Sequence, residues 1–426
     1  MKIKTASALA IIVFCLLSGC GKAAPPGGGG NMPSPGATPG QTAEASQAPE
    51  PSPTPTPEPA DPIKDVVGGM SVDEKIGQMV LVGLEGTSIQ NETKQMIERY
   101  RVGGFILYKN NIENAEQTVS MLNQLKAANA SNKTPLWLSL DQEGGKVNRL
   151  PEEQFKKLPS AGLIGGANDE AYTKRVGEAI GEAVRSLGFN MDFAPVLDIN
   201  SNPMNPVIGD RSFGADPDTV IRHGLATMEA IQSEHVAAVV KHFPGHGDTS
   251  VDSHLDLPVV GKSLSELEAF ELLPFAEAVK RQADAIMIAH LLIPAIDKNY
   301  PASMSGKVIT DLLRNKLAYD GVVITDDMTM GGITKHYDIG DSAVRSVLAG
   351  SDIILIGHDH GMQVEVLEAL KKSVEEGKLT EERLDESVYR ILKLKTKYDL
   401  KDIVTADVDV QAVNRTIEGA LASGKG

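Results

Sequence analysis

Between positions 241 and 254 the chain reads Lys241-His242-Phe243-Pro244-Gly245-His246-Gly247-Asp248-Thr249-Ser250-Val251-Asp252-Ser253-His254, a run dense in groups that bind, orient or exchange protons. Three readings fit it. The first is a solvated loop of hydrogen-bonded polar residues. The second is a metal site, since His246, Asp248, Asp252 and His254 are all candidate ligands. The third is an acid/base dyad. Asp252 and His254 lie two apart, so in extended backbone both point the same way, and the carboxylate can orient the imidazole and stabilise its charged form. Spacing alone leaves the dyad and the metal site level.

Charged groups recur where other apolar runs end. Asp141-Gln142-Glu143-Gly144-Gly145-Lys146-Val147-Asn148-Arg149 sets a carboxylate and an arginine around a Gly-Gly turn. Such a pair could bind sugar hydroxyls, the carboxylate taking two at once, or could simply cap the turn. Glu143 is the weaker candidate of the two carboxylates. Arg211, in Gly209-Asp210-Arg211, reads as a surface ion pair with Asp210 or a neighbour. Lys241 follows an apolar run, and buried lysines need partners, so it does not read as plain core. Asp198 could pair with a cation in the pocket wall. Asp326 and Asp327 follow Val322-Val323-Ile324-Thr325, and a carboxylate at the end of an inner strand is held rigidly. Asp327 has the plainer alternative of a helix N-cap. His290, His358 and His360 fit hydrogen bonding near the same mouth, and they form no ligand set of matched spacing.

Elements able to position these groups alternate along the chain. Apolar runs at 77–82, 104–107, 136–140, 191–196, 237–241, 285–288, 322–325 and 353–356 read as strands. Amphipathic stretches between them, at 91–99, 115–127, 171–187, 217–233 and 265–281, read as helices. Eight such units in this length predict a single (β/α)8 barrel of the TIM type. A doubly wound sheet is the alternative, weakened because polar clusters follow many strands and no G-x-G-x-x-G follows the first. A helical region at 380–398 closes the outer layer.

The ends of the chain differ from its middle. Residues 1–20 carry Lys2 and Lys4, an apolar run from Ala8 to Leu17, then Leu17-Ser18-Gly19-Cys20, which resembles a bacterial lipobox. The apolar run is short for a membrane span. Residues 21–60 form a Pro/Gly/Ser-rich tether with too little apolar content to fold. The folded domain is expected over 61–400, and 401–426 reads as a polar, loosely ordered tail. No second folded domain is expected there, so the active site would be built on the barrel. The only two cysteines, Cys15 and Cys20, both lie in the leader, which excludes disulfide and thiolate chemistry from the domain. A formal charge of −16 argues against nucleic-acid partners.

Lys-His-Phe-Pro-Gly-His-Gly, four residues, then Asp-Ser-His resembles the signature of the glycoside hydrolase family 3 β-N-acetylglucosaminidases. The similarity runs from about Ile76 to Ile356. It implies a retaining exo-β-N-acetylglucosaminidase in which Asp326 is the nucleophile and His254, oriented by Asp252, is the acid/base. It carries Asp141, Arg149, Arg211, Lys241 and His242 over as substrate-binding residues, with no metal and no cofactor. β-Glucosidases of the same family lack the Asp-Ser-His element. The expected partner is a saccharide ending in N-acetylglucosamine, from cell-wall muropeptides or chitin-type fragments. The expected protein is a monomer, lipid-anchored through Cys20 on the outer side of the cell membrane. Phosphorolysis in place of hydrolysis, and a non-catalytic sugar-binding lipoprotein, are the alternatives.

Overall fold

The computed structural model describes residues 61–422 of the 426-residue chain. The leader and the tether, 1–20 and 21–60, lie outside the described residues. Eight parallel strands make the inner ring: β1 Val80–Gly83, β2 Gly104–Ile106, β3 Trp137–Leu140, β4 Met191–Asp192, β5 Ala237–Phe243, β6 Ala285–Ile288, β7 Val322–Thr325 and β8 Ile354–Ile356. They pair in sequence order from β1 to β7, and β8 pairs with β1. A parallel bridge between Ile324 and Ile353 brings the chain back to β7. The ring is that of a (β/α)8 barrel, not an open doubly wound sheet.

Strand composition explains the ring. Each strand is buried along its whole length, which parallel strands covered by helices on one side and packed interior on the other require. The surrounding helices carry side-chain caps at their starts, for example Asn114 on the helix Ala115–Ala128 and Asp216 on Pro217–Ser233.

Four expectations are corrected. The first strand starts at Val80, because Gly77 and Gln78 complete the capped helix Val72–Gln78. The fourth strand is cut to Met191–Asp192, since Pro195 has no N–H to give the ladder, and pairing resumes at Val196 opposite Lys241. The helix expected at 265–281 divides into Leu264–Ala269 and Leu273–Lys280. Pro274 cannot sit inside a continuous helix, but is tolerated at the start of a new one. The break also drops Glu271, 2% exposed, beneath the 245–250 loop, where it pairs with Lys262, and Lys262 holds Asp248 at 2.8 Å.

The fourth correction concerns the tail. Asp402 accepts from the Leu136 N–H (3.1 Å) and from Asn129 Nδ2 (2.6 Å), and Thr405 bonds to Lys126 Nζ (2.7 Å). Beyond it the helix Val410–Ala422 packs on the helix Glu170–Ser186 and buries Val413, Ile417 and Ala420. Those three apolar residues recur at helical spacing, and the stripe outweighs the polar composition around it. The ordered barrel domain therefore extends to Ala422.

Candidate active site

The carboxyl ends of the strands open on a cleft of about 340 Å³. Ile106, Met287 and Leu355, from β2, β6 and β8, give it an apolar floor, and its walls are charged. Lys241 and His242, at the end of β5, both line it. In a regular strand, neighbours point to opposite faces. Here the β5–β6 register shifts between Val240 and Phe243, and the local irregularity delivers two adjacent side chains to one cavity.

Lys241 is 2% exposed and is held by two carboxylates, Asp141 Oδ1 and Glu143 Oε1, each at 2.7 Å. Burial pulls the ammonium toward its neutral form, and the charges of Asp141 and Glu143 outweigh that, so its pKa is raised. Arg211 donates Nε and Nη2 to the two oxygens of Glu143, both at 2.8 Å, a bidentate pair. Burial raises the Glu143 pKa, but Arg211 and Lys241 carry it well below the usual carboxylate range. Arg149 Nη2 lies 3.5 Å from Asp141 Oδ2. His242 gives its Nδ1 proton to Asp198 Oδ2 at 2.6 Å, which leaves Nε2 facing Arg211 Nη2 at 3.5 Å. Asp198 also accepts the backbone N–H groups of His242 and His246 on Oδ1. The structure thus brings Asp141, Arg149, Arg211, Lys241 and His242 together on one wall.

Glu143, the weaker candidate in the sequence, is the hub of that wall. Arg211 pairs with it rather than with Asp210, whose partner is Lys146 at 3.2 Å. Gln142 shapes the same turn, accepting from the Arg149 and Leu150 N–H groups. Gly144 and Gly145 supply its left-handed positions, at φ 84° and 58°.

Asp326 and Asp327 both border the cleft, and hydrogen bonding separates them. Asp327 Oδ1 accepts from the Thr329 N–H and hydroxyl and from the Gly357 N–H, and Oδ2 accepts from the Tyr108 hydroxyl at 3.1 Å. It is therefore a strut between strand ends, not a helix N-cap. Asp326 accepts from the Asp327 N–H at 2.8 Å. Burial raises its pKa, and the imidazoles of His290 and His242 with that N–H outweigh burial and hold it below the ordinary value. His290 bonds to Ser303 Oγ (2.8 Å) and to the Asp327 carbonyl (3.0 Å).

His254 stands at the rim, its side chain 62% exposed, with Nδ1 on Asp252 Oδ1 at 2.8 Å. The Asp252 oxygen also takes the His254 N–H at 2.9 Å, and burial, which raises its pKa, is outweighed by these contacts. Nδ1 is thereby committed, and Nε2 is the atom left to exchange a proton. His246 is engaged on both nitrogens, by Thr249 Oγ1 (2.8 Å) and Ser253 Oγ (3.0 Å), and burial pushes its pKa down to about 4. The four residues weighed as metal ligands are thus engaged elsewhere: Asp252 and His254 with each other, His246 with Thr249 and Ser253, and Asp248 with Lys262. Among the described residues no group of three or more His, Cys, Asp and Glu could hold a metal ion.

One residue at this mouth is absent from the expectations above. Tyr108, just past β2, stacks on His358, ring centroids 4.5 Å apart, and both line the cleft. An aromatic residue immediately after a strand on the loop face was the available signal.

The sequence profile of the glycosyl hydrolase family 3 N-terminal domain matches residues 71–394. The chain belongs to this family. Among curated members it is 38% identical over 334 residues to beta-hexosaminidase A of Pseudoalteromonas piscicida, covering 73% of this chain. The chain spans only 56% of that relative's length. It is 33% identical over 294 residues to the beta-hexosaminidase of Idiomarina loihiensis, covering 68% of this chain and 87% of that one. A solved family 3 β-N-acetylglucosaminidase from Paenibacillus sp. str. FPU-7 superposes with a TM-score of 0.79 at 41% identity, over 82% of this chain and 68% of that one.

Proposed function

We propose that this chain is a retaining exo-β-N-acetylglucosaminidase acting on saccharides with a terminal N-acetylglucosamine. The observation that carries the reading is one cleft lined by Asp326, by the His254 of an Asp252–His254 pair and by the Lys241, Arg211, Asp141 and Arg149 cluster. The curated relatives' activity supports it. Asp326, kept ionised by its surroundings, attacks the anomeric carbon as the bond to the leaving oxygen breaks, giving a glycosyl-aspartyl ester. His254 Nε2 delivers its proton to the leaving oxygen, then takes one from the water that cleaves the ester with net retention. Asp252 holds the ring and its positive charge. The cation wall hydrogen-bonds the sugar hydroxyls.

The base is an imidazole at an open rim, not a second carboxylate. It adds no negative charge beside the incoming nucleophile, which favours phosphate as a rival acceptor. Muropeptides and chitin-type fragments both present the required terminal sugar. The Leu17–Cys20 tetrad supports a lipid-anchored, extracytoplasmic protein, and loss of lipid labelling in Cys20→Ser checks it.

The test is turnover of 4-nitrophenyl N-acetyl-β-glucosaminide by the full chain, with Asp326→Ala and His254→Ala alongside, with and without phosphate. Collapse in Asp326→Ala and a smaller loss in His254→Ala, because this leaving group departs readily without a proton, are expected. Sugar 1-phosphate as the product would make it a phosphorylase. Tight sugar binding without turnover would make it a binding protein.

A further inference from the structure

We propose that the segment after the nucleophile strand is the seat of the acid/base loop, and that Gly331 and Gly332 are positioning residues for His254. The proposal rests on the assignment of His254 above. The Gly331 N–H donates to the His254 carbonyl at 3.1 Å and the Gly332 N–H to the Ser253 carbonyl at 3.0 Å. These are the first two residues of the short helix Gly331–Thr334, whose opening N–H groups have no partner within the helix. The loop supplies that partner. Two flanking contacts extend the seat: Lys335 Nζ reaches the Leu255 carbonyl at 2.5 Å, and His336 Nε2 reaches Asp256 Oδ1 at 2.7 Å.

Space, not backbone angle, demands glycine. A Cβ at Gly331 would lie 2.7 Å from the His254 carbonyl oxygen and 2.8 Å from that of Leu255. At Gly332 it would lie 3.1 Å from the Ser253 oxygen. The first cannot be accommodated without moving the loop, and the second requires a smaller adjustment. The same stretch of backbone that carries Asp326 thus registers His254 against it. A displacement of an ångström in a reacting group can cost on the order of 100-fold in rate.

The experiment measures kcat/KM of the full chain on aryl N-acetyl-β-glucosaminides of rising leaving-group pKa. It uses Gly331→Ala, Gly332→Ala, His254→Ala and the double variant Gly331→Ala/His254→Ala. If Gly331 acts through His254, Gly331→Ala loses little on a dinitrophenyl substrate and on the order of 100-fold on a poor leaving group. It then adds nothing further in the His254→Ala background. Gly332→Ala gives the same pattern at smaller amplitude, and carries the test should Gly331→Ala not fold. Equal loss on every substrate, or full additivity with His254→Ala, overturns the proposal. A flat leaving-group dependence in His254→Ala itself would bring down the assignment of His254, and the proposal with it.

Discussion

On one side of the cleft Lys241, Arg211 and Glu143 are locked side chain to side chain, all but closed to solvent. His254 and Asp252, by contrast, bind each other at an exposed rim, on a loop held mainly through its backbone. The first arrangement suits a wall that must recognise hydroxyls in a fixed geometry, where buried charges need full partnering. The second suits a group that gives up a proton and recovers it, and that must admit an aglycone and then water. Under the proposed function, rigidity lies where binding needs it and access where proton transfer needs it.

Breaking the wall should have the largest effect. Glu143→Ala strips Arg211 of its carboxylate and leaves Lys241 with Asp141 alone, and a loss of about 3–5 kcal/mol is expected. Urea unfolding measures it, with a sharply raised KM in whatever folded fraction remains. The pH dependence sharpens the same point. The folded-state pKa of Glu143 is depressed, so its stabilisation is complete above the ordinary carboxylate value and lost as pH falls toward the folded value. The stability gap between wild type and Glu143→Gln should therefore be widest near neutrality and shrink below roughly pH 4. A gap that widens in acid would contradict the pairing.

A smaller change is expected at Tyr108. Tyr108→Phe removes the hydroxyl on Asp327 while keeping the stack on His358, for about 1 kcal/mol of stability. Turnover should fall by only a few-fold, because the other three bonds to Asp327 remain. A collapse of kcat would mean that Tyr108 touches the reacting atoms.

Much of this was legible in the sequence, and the failures have physical causes. The eight strands are visible because parallel strands buried on both faces are continuous apolar runs, and the dyad because its two members lie two apart within a string that resembles the family signature. Glu143 was undervalued because its importance comes from Arg211 and Lys241, which arrive from distant segments. The β5 irregularity, which turns Lys241 and His242 to one side, leaves no mark in residue types. The different partners of Asp326 and Asp327 likewise leave no mark in residue types, and in the sequence only the family resemblance tells the two apart. The helix Val410–Ala422 is hard to see in the sequence because its apolar stripe of three residues lies in a polar background.

The most direct test is covalent trapping. Wild-type protein treated with a fluorinated N-acetylglucosaminyl donor, digested and mapped by mass spectrometry, should carry one sugar on the peptide containing Asp326, localised to that carboxylate. The adduct should be absent from Asp326→Ala. An adduct on Asp327, or rapid turnover without any adduct in the presence of a donor that traps related enzymes, would contradict the two-step mechanism.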